Sequence, residues 1–364
     1  MTRLLIVDDS PLMRRLLSGI FAAEEEFEVE VACDVAEALA KLHSFKPDVV
    51  TLDVHMPGLD GIACLDRIMV ERPCPVVMVS GRTADGAAET LKALELGAVD
   101  FVSKPAGAVS LEMDALTPVL LQKVRTAAAA RVRASTRLAD RVRARGGRAP
   151  VGQRLAAAAT PIESVSLPPL ATAKSGGLVL VGTSTGGPRA LELLLAPLPA
   201  DFPWPILVAQ HMPAFFTAAL AARLDRQCPL HVVEVSAPTA VVPGTVYVAR
   251  GEADMVVRRR GGSLVASAAP IDPDYPWHPS TDRLVRSALA SLPAEQLVGV
   301  LMTGMGNDGA SAMAEIKAGG GRTIAEAEES AVVWGMPGEL VKLNGASAIV
   351  PVEQIAGTLV EMFA

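Results

Sequence analysis

The chain has 364 residues, half of them hydrophobic, with a formal net charge of −7, enough for two domains with separate cores. No apolar run reaches the roughly 18–20 residues of a membrane span, and the opening MTRLLIVDD lacks a signal peptide's apolar segment and cleavage site, so a cytoplasmic protein without membrane insertion is expected. The four cysteines (Cys33, Cys64, Cys74, Cys228) form no CxxC pair, which argues for reduced thiols over disulfides or a zinc site.

The first 105 residues alternate short Val-rich runs (LLIVDD, VEVAC, VVTLDV, PVVMVS, DFVSKP) with stretches whose apolar residues recur every three or four positions. Strands alternating with helices predict a parallel sheet covered on both faces, with chemistry at the carboxyl ends of its strands. Asp8 and Asp9 end one such run and Asp53 ends another, so three carboxylates converge at one edge. Their repulsion calls for a hard divalent cation with oxygen ligands, above all Mg2+. The Ser80 hydroxyl and the Lys104 ammonium end two further runs. Together the five groups suit a phosphoryl group moving onto Asp53.

The charge is uneven along the chain. Lys and Arg stand against Asp and Glu as 10 to 20 in residues 1–122, 11 to 2 in 123–175, and 12 to 18 in 176–364. The basic segment is Ala/Arg-rich and then Pro/Ser-rich, and carries no aromatic residue to stack on bases. It reads as a solvated linker at 123–175 between domains at 1–122 and 176–364, not as a nucleic-acid site.

From Gly177 strands again lead into helices, predicting a doubly wound α/β domain with a mostly parallel sheet and a β-hairpin insertion near VVPGTVYVAR. GTSTGG follows the run LVLV, fits G-x-S-x-G, and makes Ser184 a candidate nucleophile. A dinucleotide cradle would want glycine at position 184. His211 closes the next run, PILVAQ, and is the candidate base, with His278 in WHPSTD as its rival. Asp308, in TGMGNDG, reads as a helix-start acid favoured by the helix dipole, a role compatible with orienting His211. Gly304, Gly306 and Gly309 allow amides to point inward, as an oxyanion hole requires. The order Ser184, His211, Asp308 differs from that of α/β-hydrolases, so a separate fold is implied.

Residues 1–105 resemble two-component receiver domains through VDDS, LDVHMPGLDG and SKP. The resemblance implies a flavodoxin-like five-stranded parallel sheet and phosphorylation of Asp53 by a histidine kinase. It also implies Mg2+ on Asp8, Asp9 and Asp53, a switch through Ser80 and Phe101, and Lys104 on the phosphoryl group. Residues 177–364 resemble the bacterial chemotaxis protein-glutamate methylesterases through GTSTGG, QHMP, HPSTD, TGMGNDG and WGMP. That implies Ser184 as nucleophile, His211 as base and acid, Asp308 as its orienting partner, a positioning role for Thr185, and an oxyanion donor in the Met305 amide. The esterase itself needs no cofactor. Expected partners are methyl-accepting chemoreceptors as substrate and a histidine kinase as phosphodonor, with the chain acting as a monomer. Glutamine deamidation is the expected second activity. ARGEADM at 249–255 departs from the family, where a Pro-Gly turn and a His are common. Met212, Phe215, Phe216 and Met305 are equally readable as a receptor-helix contact or as core. Two competing readings are a chemosensory target outside swimming control and a non-catalytic adaptor.

Overall fold

The computed structural model describes residues 1–56, 61–81, 84–104, 109–130, 170 and 176–363. The chain divides into two compact units, Met1–Ser164 and Val165–Ala364. In the first, β1 (Thr2–Val7), α1 (Pro11–Ala22), β2 (Phe27–Ala32), α2 (Val35–Ser44), β3 (Val49–Asp53), α3 (Gly61–Glu71), β4 (Val76–Ser80), α4 (Ala84–Leu96), β5 (Asp100–Ser103) and α5 (Val109–Ala128) follow one another. The sheet order is β2-β1-β3-β4-β5 and every pairing is parallel. Strands β3 and β4 are buried at every residue, which is why VVTLD and VVMVS read as continuous apolar runs rather than alternating ones. Ser10 and Asp34 cap α1 and α2, accepting the amides of Met13 and Glu37, each cap worth ~1 kcal/mol.

The linker predicted from residue 123 begins inside α5, which continues to Ala128. From 131 onward that segment lies outside the described residues except for Leu170. Leu170 is buried and donates its amide to Met362 O at 2.8 Å, so it belongs to the second unit.

That unit runs β6 (Leu178–Thr183), α6 (Gly187–Leu195), β7 (Ile206–Gln210), α7 (Ala214–Gln227), β8 (His231–Val235), β9 (Thr239–Ala240), β10 (Thr245–Ala249), β11 (Asp254–Arg260), β12 (Ser263–Ala269), α8 (Thr281–Leu289), β13 (Leu297–Leu301), α9 (Ala310–Ala318), β14 (Arg322–Glu326), α10 (Met336–Lys342), β15 (Ala348–Val350) and α11 (Val352–Met362). Its main sheet has the order β15-β14-β13-β6-β7-β10-β8, with all pairings parallel. The first strand, β6, lies between β13 and β7. The strands follow chain order outward from β13 to β15, whereas on the other side β10 lies between β7 and β8; the carboxyl ends of β13, β6 and β7 meet at the crevice where such sheets bind their ligands.

The hairpin insertion is present but is displaced from its predicted place. TVYVA forms β10, a parallel strand of the main sheet. The hairpin is β11–β12, turned by Gly261 and Gly262, both at positive φ (57° and 85°), as a two-residue turn of this hand demands. The Pro243-Gly244 turn connects strands of two different sheets, and its flanking Val runs imitate a hairpin.

Candidate active site

In the first unit the predicted groups come together at one edge. Carboxylate oxygens of Asp8, Asp9 and Asp53 lie within 4.8 Å of one another. The Lys104 ammonium reaches Asp53 Oδ2 at 2.7 Å and Asp8 Oδ2 at 3.1 Å. Burial pushes the Asp53 carboxyl up despite the Lys104 charge. Burial alone would lower Lys104, but Asp53 and Asp8 outweigh it and hold the ammonium above its usual range. Three acids with one lysine leave an excess of negative charge at a hard-oxygen site, which fits a divalent cation. The Ser80 hydroxyl is buried and donates to the carbonyls of Gly81 and Gly86 at 3.3 Å. Phe101 is buried, with Lys123 Nζ 5.1 Å from its ring centroid.

In the second unit Ser184 and His211 each follow one residue of a paired rung, Thr183 on β6 and Gln210 on β7. Neighbouring strands lie ~4.8 Å apart, so the two residues leave the sheet side by side. The buried Gln210 ties them together, its Nε2 donating to Ser184 O at 2.9 Å and His211 O at 3.1 Å. The loop after β13 folds back over this edge. Ser184 N donates to Thr303 O at 2.9 Å, and a β-carbon on Gly304 would fall 2.8 Å from Ser184 Cβ. The Thr303 hydroxyl donates to Thr185 O at 2.9 Å, and the Thr303 amide donates to Glu326 Oε2 at 2.7 Å. Glu326 is a buried carboxylate at the end of β14.

Asp308 is 2% exposed and accepts four hydrogen bonds. His211 Nε2 donates to Oδ2 at 2.8 Å, as does Thr281 N at 2.6 Å, while the Ser280 hydroxyl (2.9 Å) and Asp282 N (3.0 Å) donate to Oδ1. Burial would raise its carboxyl, but the His211 contact and the two amides outweigh burial and hold it below the usual range. With Nε2 committed to Asp308, His211 Nδ1 is buried and has no hydrogen-bond partner among the described residues. The geometry thus supplies an oriented imidazole with a free ring nitrogen, beside a serine at a glycine-rich turn.

The CheB methylesterase family model matches residues 179–359, and the response regulator receiver domain model matches residues 4–114. Protein-glutamate methylesterase/protein-glutamine glutaminase 2 of Rhodopseudomonas palustris (strain BisB18) is 54% identical over 99% of this chain and 98% of its own. The chain belongs to the protein-glutamate methylesterase/protein-glutamine glutaminase family. A second member, from Rhodospirillum rubrum, is 51% identical over 99% of this chain and 95% of its own. The CheB methylesterase catalytic domain of Thermotoga maritima superposes with a TM-score of 0.50 at 36% identity, covering 51% of this chain and 98% of that domain.

Several residues of this methylesterase-family site escape a reading of the sequence. The rival histidine, His278, is paired through Nδ1 with Asp254 at 3.1 Å. Asp254 lies in the divergent ARGEADM segment, is fully buried, and also accepts Ser280 N at 2.8 Å and an Arg283 guanidinium N–H. It anchors the start of α8, whose first amides reach Asp308. Gly182 makes this approach possible, since a β-carbon there would lie 2.8 Å from Thr281 Oγ1 and Leu301 Cδ1. Of the proposed receptor-helix contacts, Met212 and Phe216 are core, whereas Phe215 is exposed and Met305 partly so.

Proposed function

We propose that this chain is a phosphorylation-regulated serine hydrolase that demethylates glutamate γ-methyl esters of chemoreceptors and deamidates receptor glutamines. One observation carries the reading. His211 is held by a buried, ionised Asp308 through Nε2, which leaves the buried Nδ1 without a hydrogen-bond partner among the described residues and available to the neighbouring Ser184. His211 Nδ1 takes the proton of Ser184 Oγ as that oxygen attacks the γ-carbonyl. The Met305 amide receives the oxyanion, such a donor being typically worth ~2.7–4 kcal/mol, while the Gly304 amide is taken by Val333 O at 2.9 Å. The imidazolium returns the proton to the leaving methoxide, releasing methanol. Water, deprotonated by the same nitrogen, then attacks the acyl-serine, and the imidazolium returns that proton to the departing Ser184 Oγ as glutamate is released. A glutamine side chain follows the same course and releases ammonia. Thr185, fixed through Thr303, shapes the turn that presents Ser184.

Control comes from the receiver. Asp53 takes a phosphoryl group from a chemosensory histidine kinase. Asp8, Asp9 and Asp53 would hold Mg2+, which supplies charge neutralisation for the transfer, and Lys104 pairs with the phosphorylated side chain. Ser80 and Phe101 form the switch. The test is methanol release from methyl-labelled receptors. Ser184→Ala is expected to abolish it, and equal release by mutant and wild type would reject the enzyme reading.

A further inference from the structure

We infer that Trp277 is a positioning residue for the His211 imidazole. The inference rests on the reading of Ser184 and His211 as nucleophile and base. The two rings are stacked with centroids 5.8 Å apart and an interplanar angle of 2°, within the range of favourable offset aromatic contacts. The indole also covers the glycine loop. Gly306 has φ 87°, and a β-carbon there would fall 2.7 Å from Trp277 Cζ2. One side chain therefore touches both the base and the loop expected to bind the oxyanion.

The stack supplies a constraint that Asp308 cannot. The bond from Nε2 to Asp308 pins one ring atom, but the χ2 torsion of a histidine is broad, and rotation about it swings Nδ1 away from Ser184. A flat face against the ring removes that freedom. The indole is itself fixed from behind. The residue after it, His278, is held by Asp254, as is the Ser280 amide, so the backbone presenting Trp277 is tied to a buried carboxylate. A π face over the ring also favours the imidazolium that forms when Ser184 is deprotonated. Trp277 is only partly buried, so its removal does not open the core.

The test compares wild type, Trp277→Ala and Trp277→Phe as full chains, by methanol release from methyl-labelled receptors and by the proton NMR signal of His211 Nε2–H. Trp277→Ala is expected to lower kcat roughly three- to tenfold, leave KM nearly unchanged, and broaden the Nε2–H resonance. Trp277→Phe, which restores an aromatic face, is expected to recover most of both. Wild-type kcat in Trp277→Ala, a loss confined to KM, or equal impairment of both variants would overturn the proposal. A wild type no more active than Ser184→Ala would remove the reading of the site itself, and the proposal with it.

Discussion

Asp308 caps a helix that is not its own: its Oδ2 accepts the amide of Thr281, the first residue of α8, at 2.6 Å. Its own helix, α9, starts at a Gly309 cap with no side-chain bond. The Ser280 hydroxyl and the Asp282 amide complete the arrangement. The positive end of α8 therefore stabilises the negative charge that orients His211. An acid that looks like an ordinary helix-start residue is buried instead between two helices.

Asp308→Asn is expected to lower kcat by roughly 10^3–10^4-fold with little change in KM, because an amide in this place no longer enforces the productive imidazole tautomer. Steady-state methanol release checks it. A loss below tenfold would mean that the carboxylate is merely structural.

Two neighbouring carboxyls make opposite pH contributions to stability. Asp308 is held below its usual range, so its contribution is fully present above the unfolded value near ~3.9 and fades as pH falls through the folded value. Asp282 is pushed up, by burial first and by the Asp308 charge as well, only partly offset by the Ala312 amide. Its contribution is therefore present at acid pH and fades as pH rises through its folded value. Asp282→Asn should raise the melting temperature more at pH 7 than at pH 4, and Asp308→Asn should flatten the acid-side decline. Trp204, Trp277 and Trp334 are the only tryptophans and all lie in the second unit, so intrinsic fluorescence follows that unit in the full chain.

Gly182→Ala is expected to cost ~1–3 kcal/mol, the usual penalty of overpacking, because the new β-carbon meets Thr281 and Leu301. Displacing Thr281 also disturbs Asp308, so kcat should fall along with the melting temperature. Unchanged values for both would show that α8 does not need this close approach.

Asp53→Asn is expected to leave basal ester hydrolysis intact and abolish its stimulation by a small phosphodonor. Chelating Mg2+ should abolish the stimulation of wild type in the same way, without affecting basal turnover. Persistent stimulation in either case would contradict control through this edge.

Much of both sites was legible because strands and chemistry coincide. Asp53, Ser184 and His211 each end or follow a short buried apolar run, and a parallel sheet gathers such ends. The supporting groups were not legible. Asp254 serves Ser280 from 26 residues away, in a segment whose sequence departs from the family pattern, and its role depends on burial, which no local periodicity encodes. Trp277 reads as one residue of a Pro-rich loop, and nothing nearby indicates that its face meets His211. The misplaced hairpin has a local cause as well: Pro243-Gly244 gives as strong a turn signal as Gly261-Gly262, and only the pairing partners distinguish them.

Ser184 and His211 hang from one rung shared by neighbouring strands, clasped by Gln210. They cannot be drawn apart without unzipping the centre of the sheet. The pairing of the two residues therefore does not wait for Asp53 to be phosphorylated, and an unphosphorylated molecule is expected to react, slowly, with a small activated ester.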